Sequence, residues 1–512
     1  METQKNIFYN VLLAVSQVLF PLITFPYLAR VLGPTQIGLL NFAESISRYF
    51  ILLAALGIPI YGVREIAKYR DNILQRTIIF FEIAFINFIT TIILSIVFII
   101  ILFCVPKFHN ELPLFSWAIL YFIFQMFYFE WFFTGMNEFK YIAIRSFFIR
   151  FLFILFVFIF IKSKYDYLRY MQMQVLLSFI IALINFKYLN SLLDFKAINF
   201  KYLNIKQHLN TLFLLFLTIF SISIYFSLDT ILLGFLANNE SVGYYSSALK
   251  LIKLIIAVLS SISVALFPKM IHLYHQGGLE QFSKMVKQCY SLLLSLSVPL
   301  VILIIGLADE IITLLLGGNF HRAILPLQIT APLIVIVSLS GIFGFQVLSA
   351  LSKDKSILIS AITGMLVSIL LSFLLVPLYF ENGESITILL TELSVCLSFI
   401  YFSNKYFNLN GYGIIFLKQM MEAIPYLIII LIVKYFINNS IHILICTIAL
   451  SFIWFVILQF YIHTTSIYRN QLNRLLNKII TCHICTILPL IQSCLALRDA
   501  QCQKYGLLSP AT

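Results

Sequence analysis

Residues 26–71, PYLARVLGPTQIGLLNFAESISRYFILLAALGIPIYGVREIAKYRD, hold the end of one apolar segment, a Gly33-Pro34 turn and a second apolar segment. That second segment carries Glu44 and Arg48 near its middle and runs into a basic exit with Arg64, Lys68 and Arg70. An apolar run of about 20 residues rises about 30 Å as a helix, the thickness of a bilayer core. If the second segment spans, a carboxylate and a guanidinium lie deep in hydrocarbon, where each costs at least roughly 2.5–3.5 kcal/mol. Such groups persist only when each other, water or a ligand compensates them.

Composition places these segments in a membrane. Hydrophobic residues make up 61% of the 512 and charged residues 11%, against about 45–50% and about 25% in a soluble domain. Fourteen apolar windows of spanning length occur between residues 7–29 and 441–461, and no other stretch before residue 462 exceeds about 25 residues. The expected fold class is therefore an all-α polytopic membrane protein of about 14 transmembrane helices, with no room for a soluble domain. The first window is too long for a signal-peptide core and lacks a small-residue cleavage site, so it reads as retained.

Basic residues alternate between the two sets of loops. One set, which includes both termini, carries 23 Lys and Arg; the other carries 7. Cytoplasmic loops are the basic ones, so both termini are expected in the cytoplasm. The net charge of +13 is mostly this bias, and nucleic-acid binding is excluded for want of a basic soluble module.

An internal repeat follows. GLLNFA (38–43) comes after Leu32-Gly33, and GYYSSA (243–248) comes after Leu233-Gly234, at an offset of 205 residues. Six helices separate the copies, so both enter the membrane in the same direction, which predicts two parallel six-helix lobes around a central cavity. The lobes are residues 1–190 and 191–408, followed by helices 13 and 14 (409–462) and a cytoplasmic tail (463–512). Coincidence of two Gly-rich turns is the alternative.

With Ala43 over Ala248, Arg48 falls over Lys253 and Ser45 over Lys250. Lys250 and Lys253 are three apart and share a helix face that neither lipid nor a dry core accepts, so they are expected to line a hydrated cleft for an anionic substrate. Arg150 is a further candidate, unless it snorkels or pairs with Glu130. Glu44 and Arg48, spaced i,i+4, alternatively form a self-neutralising structural pair, and Asp229 is the acid nearest the lysines. Glu44, Asp229, Glu130, Glu82, Glu392 and Glu422 are candidates for a proton or cation relay, or for structural partners of basic and hydroxyl groups.

FPYLARVLGPTQIGLLNFA, GIPIYGVREIAKYRDN, EWFFTGMNEFKYIAIRS and LDTILLGFLANNESVGYYSSALKL, in that order along residues 1–460, resemble the polysaccharide-biosynthesis (O-antigen type) flippases of the multidrug/oligosaccharidyl-lipid/polysaccharide flippase superfamily. Arg30, Gly33, Gly38, Gly57, Arg64, Arg70, Trp131, Gly135, Asp229, Gly234, Gly243 and Tyr245 match the family's motifs. Thr134 departs from them where glutamine is expected. The resemblance implies two V-shaped lobes and alternating access. The cargo it implies is an undecaprenyl-pyrophosphate-linked oligosaccharide, moved from the cytoplasmic to the outer leaflet of a bacterial inner membrane for O-antigen lipopolysaccharide or another surface polysaccharide. No cofactor is expected, with a proton or sodium gradient as the energy source and a polysaccharide polymerase and chain-length regulator as protein partners.

A pyrophosphate cannot cross hydrocarbon unaided, and an Arg fork grips phosphate oxygens at two points. The chemistry agrees with the resemblance. The alternatives are a peptidoglycan lipid-precursor flippase or a cation-coupled drug exporter, although an exporter of cations is expected to present acids to its cavity. A membrane polymerase or glycosyltransferase would show a large outer loop, and none is present. The tail beyond residue 480 holds Cys482, Cys485, Cys494, Cys502 and His483 without paired Cys-x-x-Cys knuckles, a pattern too weak for a zinc site.

Overall fold

A computed structural model of the chain describes residues 2–195 and 203–458. The tail cysteines and His483 lie outside the described residues, among which there is no strand. The helices are α1 (Glu2–Ala55), α2 (Ile58–Lys68), α3 (Ile73–Cys104), α4 (Pro106–His109), α5 (Leu112–Gln125), α6 (Glu130–Gly135), α7 (Phe139–Phe160), α8 (Tyr167–Leu192) and α9 (Lys206–Leu236). After them come α10 (Asn239–Gly306), α11 (Ala308–Leu315), α12 (Ile324–Thr330), α13 (Leu333–Ser340), α14 (Asp354–Asn404), α15 (Tyr412–Glu422), α16 (Ile424–Phe436) and α17 (Ser440–Ile457).

Internal packing divides the chain into Met1–Leu427 and Ile428–Thr512. Both copies of the repeat lie in the first unit. The second holds most of α16 and all of α17. Asn439 caps the first turn of α17, its side chain accepting from the Ile441 backbone at 2.9 Å, which satisfies one of the free N–H groups at a helix start.

Three of these helices are broken inside. Gly33 (φ 80°) breaks α1 just before Pro34, Gly278 (φ 68°) breaks α10, and Phe380 (φ 50°) breaks α14. At 1.5 Å per residue the 51 residues of α14 would run roughly 77 Å unbroken, more than two bilayer cores. By length and composition ten described helices can cross a membrane, or eleven when the pair 318–330 and 333–348, bent by 41°, counts as one span. That is fewer than the expected fourteen, and in that count α1 and α14 each stand as a single span despite their breaks.

The first half of the chain is cemented by aromatic packing. Ile58, Tyr61 and Ile66 of α2, Ile79, Phe80 and Ile83 of α3, and Trp131, Phe132 and Phe133 of α6 are buried in one cluster. Close approach here depends on missing side chains: a β-carbon on Gly62 would sit 2.4 Å from Trp131 Cε3, and one on Gly135 would sit 2.8 Å from Ile66 Cβ. Arg70 Nη2 donates to the Gly135 carbonyl at 3.2 Å. The second and third motifs quoted above therefore pack on each other.

The start of α9 docks on this half. Glu82 Oε1 accepts from the Asn204 backbone at 2.6 Å, and Glu82 Oε2 accepts from Gln207 at 3.1 Å. His208 Nε2 lies 2.7 Å from Glu82 Oε2, and its Nδ1 lies 2.7 Å from Tyr61 Oη. A carboxylate only 2% exposed is thus saturated with donors, as burial of a charge requires.

Candidate functional site

The first and fourth motifs meet at a helix crossing between the two repeat copies. A β-carbon on Gly38 would lie 1.7 Å from the Asn239 carbonyl oxygen, and one on Gly243 would lie 1.9 Å from that of Pro34. Nothing larger than hydrogen fits at either point, so the two glycines set how closely the second part of α1 and the start of α10 approach. Asn41 Nδ2 donates to Ser246 Oγ at 2.7 Å across this crossing. Gly234 lets Phe42 close over α9, where a β-carbon would lie 2.2 Å from the Phe42 ring.

Cations join the same end of the molecule. The Arg30 guanidinium donates to the Leu314 carbonyl near the C-terminus of α11. Lys107 donates to the carbonyls of Gly234 and, at 3.2 Å, Ala237, at the C-terminus of α9. Positive charge at a helix C-terminus is favoured by the unpaired carbonyls and the aligned peptide dipoles.

Ten residues past Gly38 stands Arg48, and ten past Gly243 stands Lys253, each roughly 15 Å further along its helix from the crossing. The Arg48 side chain is 68% exposed and its Nη2 lies 3.5 Å from Glu44 Oε2. Glu44 is 15% exposed, and its other oxygen accepts from Gln174 Nε2 of α8 at 2.7 Å. Lys250 Nζ sits 4.3 Å from the centre of the Phe25 ring, a cation–π contact, and interacts electrostatically with both Glu44 and Arg48. Lys253, one turn on, is exposed. Among the described residues neither lysine has a carboxylate at ion-pair distance.

Arg48, Glu44 and Lys250 are thus brought together, and Lys253 stands one turn beyond Lys250 on α10. Arg150 is placed elsewhere, where its Nη1 donates to Ser16 Oγ at 2.6 Å and to the Leu13 carbonyl at 3.4 Å. Glu130 pairs with Arg145 Nη2 at 2.8 Å, so its ion-pair partner is Arg145 rather than Arg150. Asp229 is buried and accepts from Tyr245 Oη at 2.7 Å and from the Thr230 backbone at 2.7 Å, rather than from a lysine. Glu422 lies 3.7 Å from Lys418, and Glu392 is buried.

Residues that sequence reasoning misses complete the picture. For Gln174 the one signal available is an amide inside an apolar helix, one turn after Tyr170. Glu381 and Glu384, which the apolar windows leave in a loop between two spans, are buried, at 1% and 0% exposure. Glu381 pairs with Arg322 at 2.7 Å and accepts from Ser241 at 2.8 Å; Glu384 accepts from Ser372 at 3.0 Å.

Broken apolar helices, a glycine crossing between repeat copies and a charged cluster beyond it define a multi-pass membrane transporter. Two solved structures share the fold. One is "Lipid II flippase MurJ, inward closed conformation", at a TM-score of 0.62 and 16% identity, covering 91% of this chain and all of that one. The other is an inward-facing multidrug resistance MATE transporter of the MOP superfamily, at 0.61 and 14%, covering 76% of this chain and 94% of that one. Residues 3–274, more than half of the chain, match the family described as "Polysaccharide biosynthesis protein". The chain belongs to that family. Among its relatives is the "Putative O-antigen transporter" of Escherichia coli (strain K12), 26% identical over 393 residues that make up 77% of this chain and 94% of the relative.

Proposed function

We propose that this protein is a flippase that moves an undecaprenyl-pyrophosphate-linked oligosaccharide from the cytoplasmic to the outer leaflet of a bacterial inner membrane, for O-antigen or another surface polysaccharide. The observation that carries this is the cluster of Arg48 and Lys250, with Lys253 one turn on, on helices equivalent in the repeat and without enough acid to neutralise them. A pyrophosphate with at least two negative charges complements such a cluster, and its prenyl tail remains in lipid while the head crosses the cleft.

In this reading the six-helix lobes, 1–190 and 191–408, rock about the Gly38–Gly243 crossing in alternating access. Both termini face the cytoplasm, and the joined end is the outer one. No bond is made or broken, so the protein is a transporter rather than an enzyme. Energy comes from a proton or sodium gradient, with Asp229, Glu130 and Glu44 as candidate coupling acids, and the product passes to a polymerase and its chain-length regulator.

A deletion strain tests this. Lipid-linked repeat units should accumulate in the inner leaflet and clear when the wild-type gene is restored, but not when the Arg48→Ala, Lys253→Ala double variant is supplied at equal abundance. Accumulation of the peptidoglycan lipid precursor instead would transfer the cargo to that pathway. A change only in drug sensitivity would make the protein an exporter.

A further inference from the structure

The charges around Arg48 are distributed unevenly. Arg48, Lys250 and Lys253 gather on α1 and α10, whereas Glu44 turns its second oxygen toward α8, where Gln174 Nε2 binds it at 2.7 Å. The Gln174 Oε1 is buried with no hydrogen-bond partner among the described residues, a costly state for an amide oxygen. Tyr170 stands one helical turn before Gln174 on the same face. Tyr121 comes from α5, which packs on α8. Glu44 acts electrostatically on both phenols.

A carboxylate beside a diphosphate opposes its binding, so contact with the diphosphate does not account for Glu44. An acid, an amide and two phenols are instead a mixed set of donors and acceptors around aromatic faces. Sugar hydroxyls are donors and acceptors at once, and the C–H faces of a sugar ring cover aromatic rings. On the reading of the cleft as a lipid-pyrophosphate site, we propose that Tyr121, Tyr170, Gln174 and Glu44 form the sugar subsite and leave Arg48, Lys250 and Lys253 to the pyrophosphate. The Gln174 Oε1 then accepts a sugar hydroxyl, which resolves its lack of a partner, and the subsite separates glycosylated lipid from the bare carrier. A site built to hydrogen-bond a hydroxyl discriminates strongly against a ligand that lacks it.

The test uses the full-length protein in nanodiscs and measures the affinity of undecaprenyl pyrophosphate, bare and bearing one of four sugars (glucose, galactose, N-acetylglucosamine or N-acetylgalactosamine). The wild type should bind at least one glycosylated probe about tenfold or more tightly than the bare carrier. In Gln174→Leu and Tyr170→Leu the ratio of the two affinities should fall toward one. The Arg48→Ala, Lys253→Ala variant should weaken both probes by the same factor, with the ratio retained. If the wild type binds bare and glycosylated carrier equally, or if the Gln174 and Tyr170 variants keep the wild-type ratio, the sugar subsite is overturned while the pyrophosphate reading stands. If the wild type binds none of the probes, the pyrophosphate reading falls and takes the subsite with it.

Discussion

Asn41 and Ser246, which hydrogen-bond at 2.7 Å, are 205 residues apart, the same offset that separates the two copies of the repeat. Each is the fourth residue of its motif, so the two copies touch at equivalent positions, as they do on an axis of approximate twofold symmetry. The Gly38 and Gly243 contacts on either side obey the same rule, since each glycine meets the backbone that precedes the other.

The glycine crossing predicts a steric lock. Gly38→Val or Gly243→Val places carbons where a carbonyl oxygen sits within 2 Å of the first added atom, and overpacking of this kind costs roughly 1–3 kcal/mol or more. Transport should fall at least about tenfold. Cysteines introduced near Thr35 and Asn238 should become more reactive to a membrane-impermeant thiol reagent. Asn41→Ala should have a smaller effect, since it removes one hydrogen bond of about 1 kcal/mol. Unchanged labelling in the valine variants would exclude this crossing as the contact that closes the joined end.

Arg48 and Glu44 are separable by mutation. Because the guanidinium is largely exposed and Glu44 keeps a second partner in Gln174, Arg48→Ala should leave protein abundance normal while reducing flipping, through loss of a charge-assisted contact of roughly 1.5–3 kcal/mol. Lys253→Ala should behave alike, and Arg48→Lys should retain part of the activity. Flipping assays on membranes matched for protein content measure this. Rescue of both abundance and transport by Glu44→Ala with Arg48→Ala would instead make Arg48 a neutralising partner.

Glu82 holds the start of α9 through three donors. Glu82→Ala strands them in a buried site at roughly 1–3 kcal/mol for each unsatisfied group, so the purified protein should show a clearly lower thermal midpoint. Glu82→Gln should fall between, because the amide keeps one acceptor oxygen. An unchanged midpoint in Glu82→Ala would mean that α9 is held by its apolar contacts alone.

Membrane orientation is tested by reporter fusions. Fusions after Ala237 and Phe380 should report the outer face, and fusions after Tyr69, Asn204 and Gln276 the cytoplasm, as the asymmetry of 23 to 7 basic residues requires. Two or more reversals among the five would reject the arrangement.

The sequence by itself determined the helical membrane class, because 61% apolar residues in runs of spanning length leave the backbone no other way to satisfy its hydrogen bonds in lipid. It also determined the repeat and its register, since a pattern of glycines and small residues at a fixed offset is local information. That register sets Arg48 ten residues past Gly38 and Lys253 ten past Gly243. Tertiary structure alone decided which motifs meet: the first crosses the fourth at Gly38 and Gly243, and the second packs on the third at Gly62 and Gly135. It decided that Glu130 pairs with Arg145 and that Asp229 binds Tyr245. It brought Gln174 to Glu44 across 130 residues. These pairings depend on how helices rotate about their axes and on how deep each sits, and neither quantity is encoded within a single apolar window.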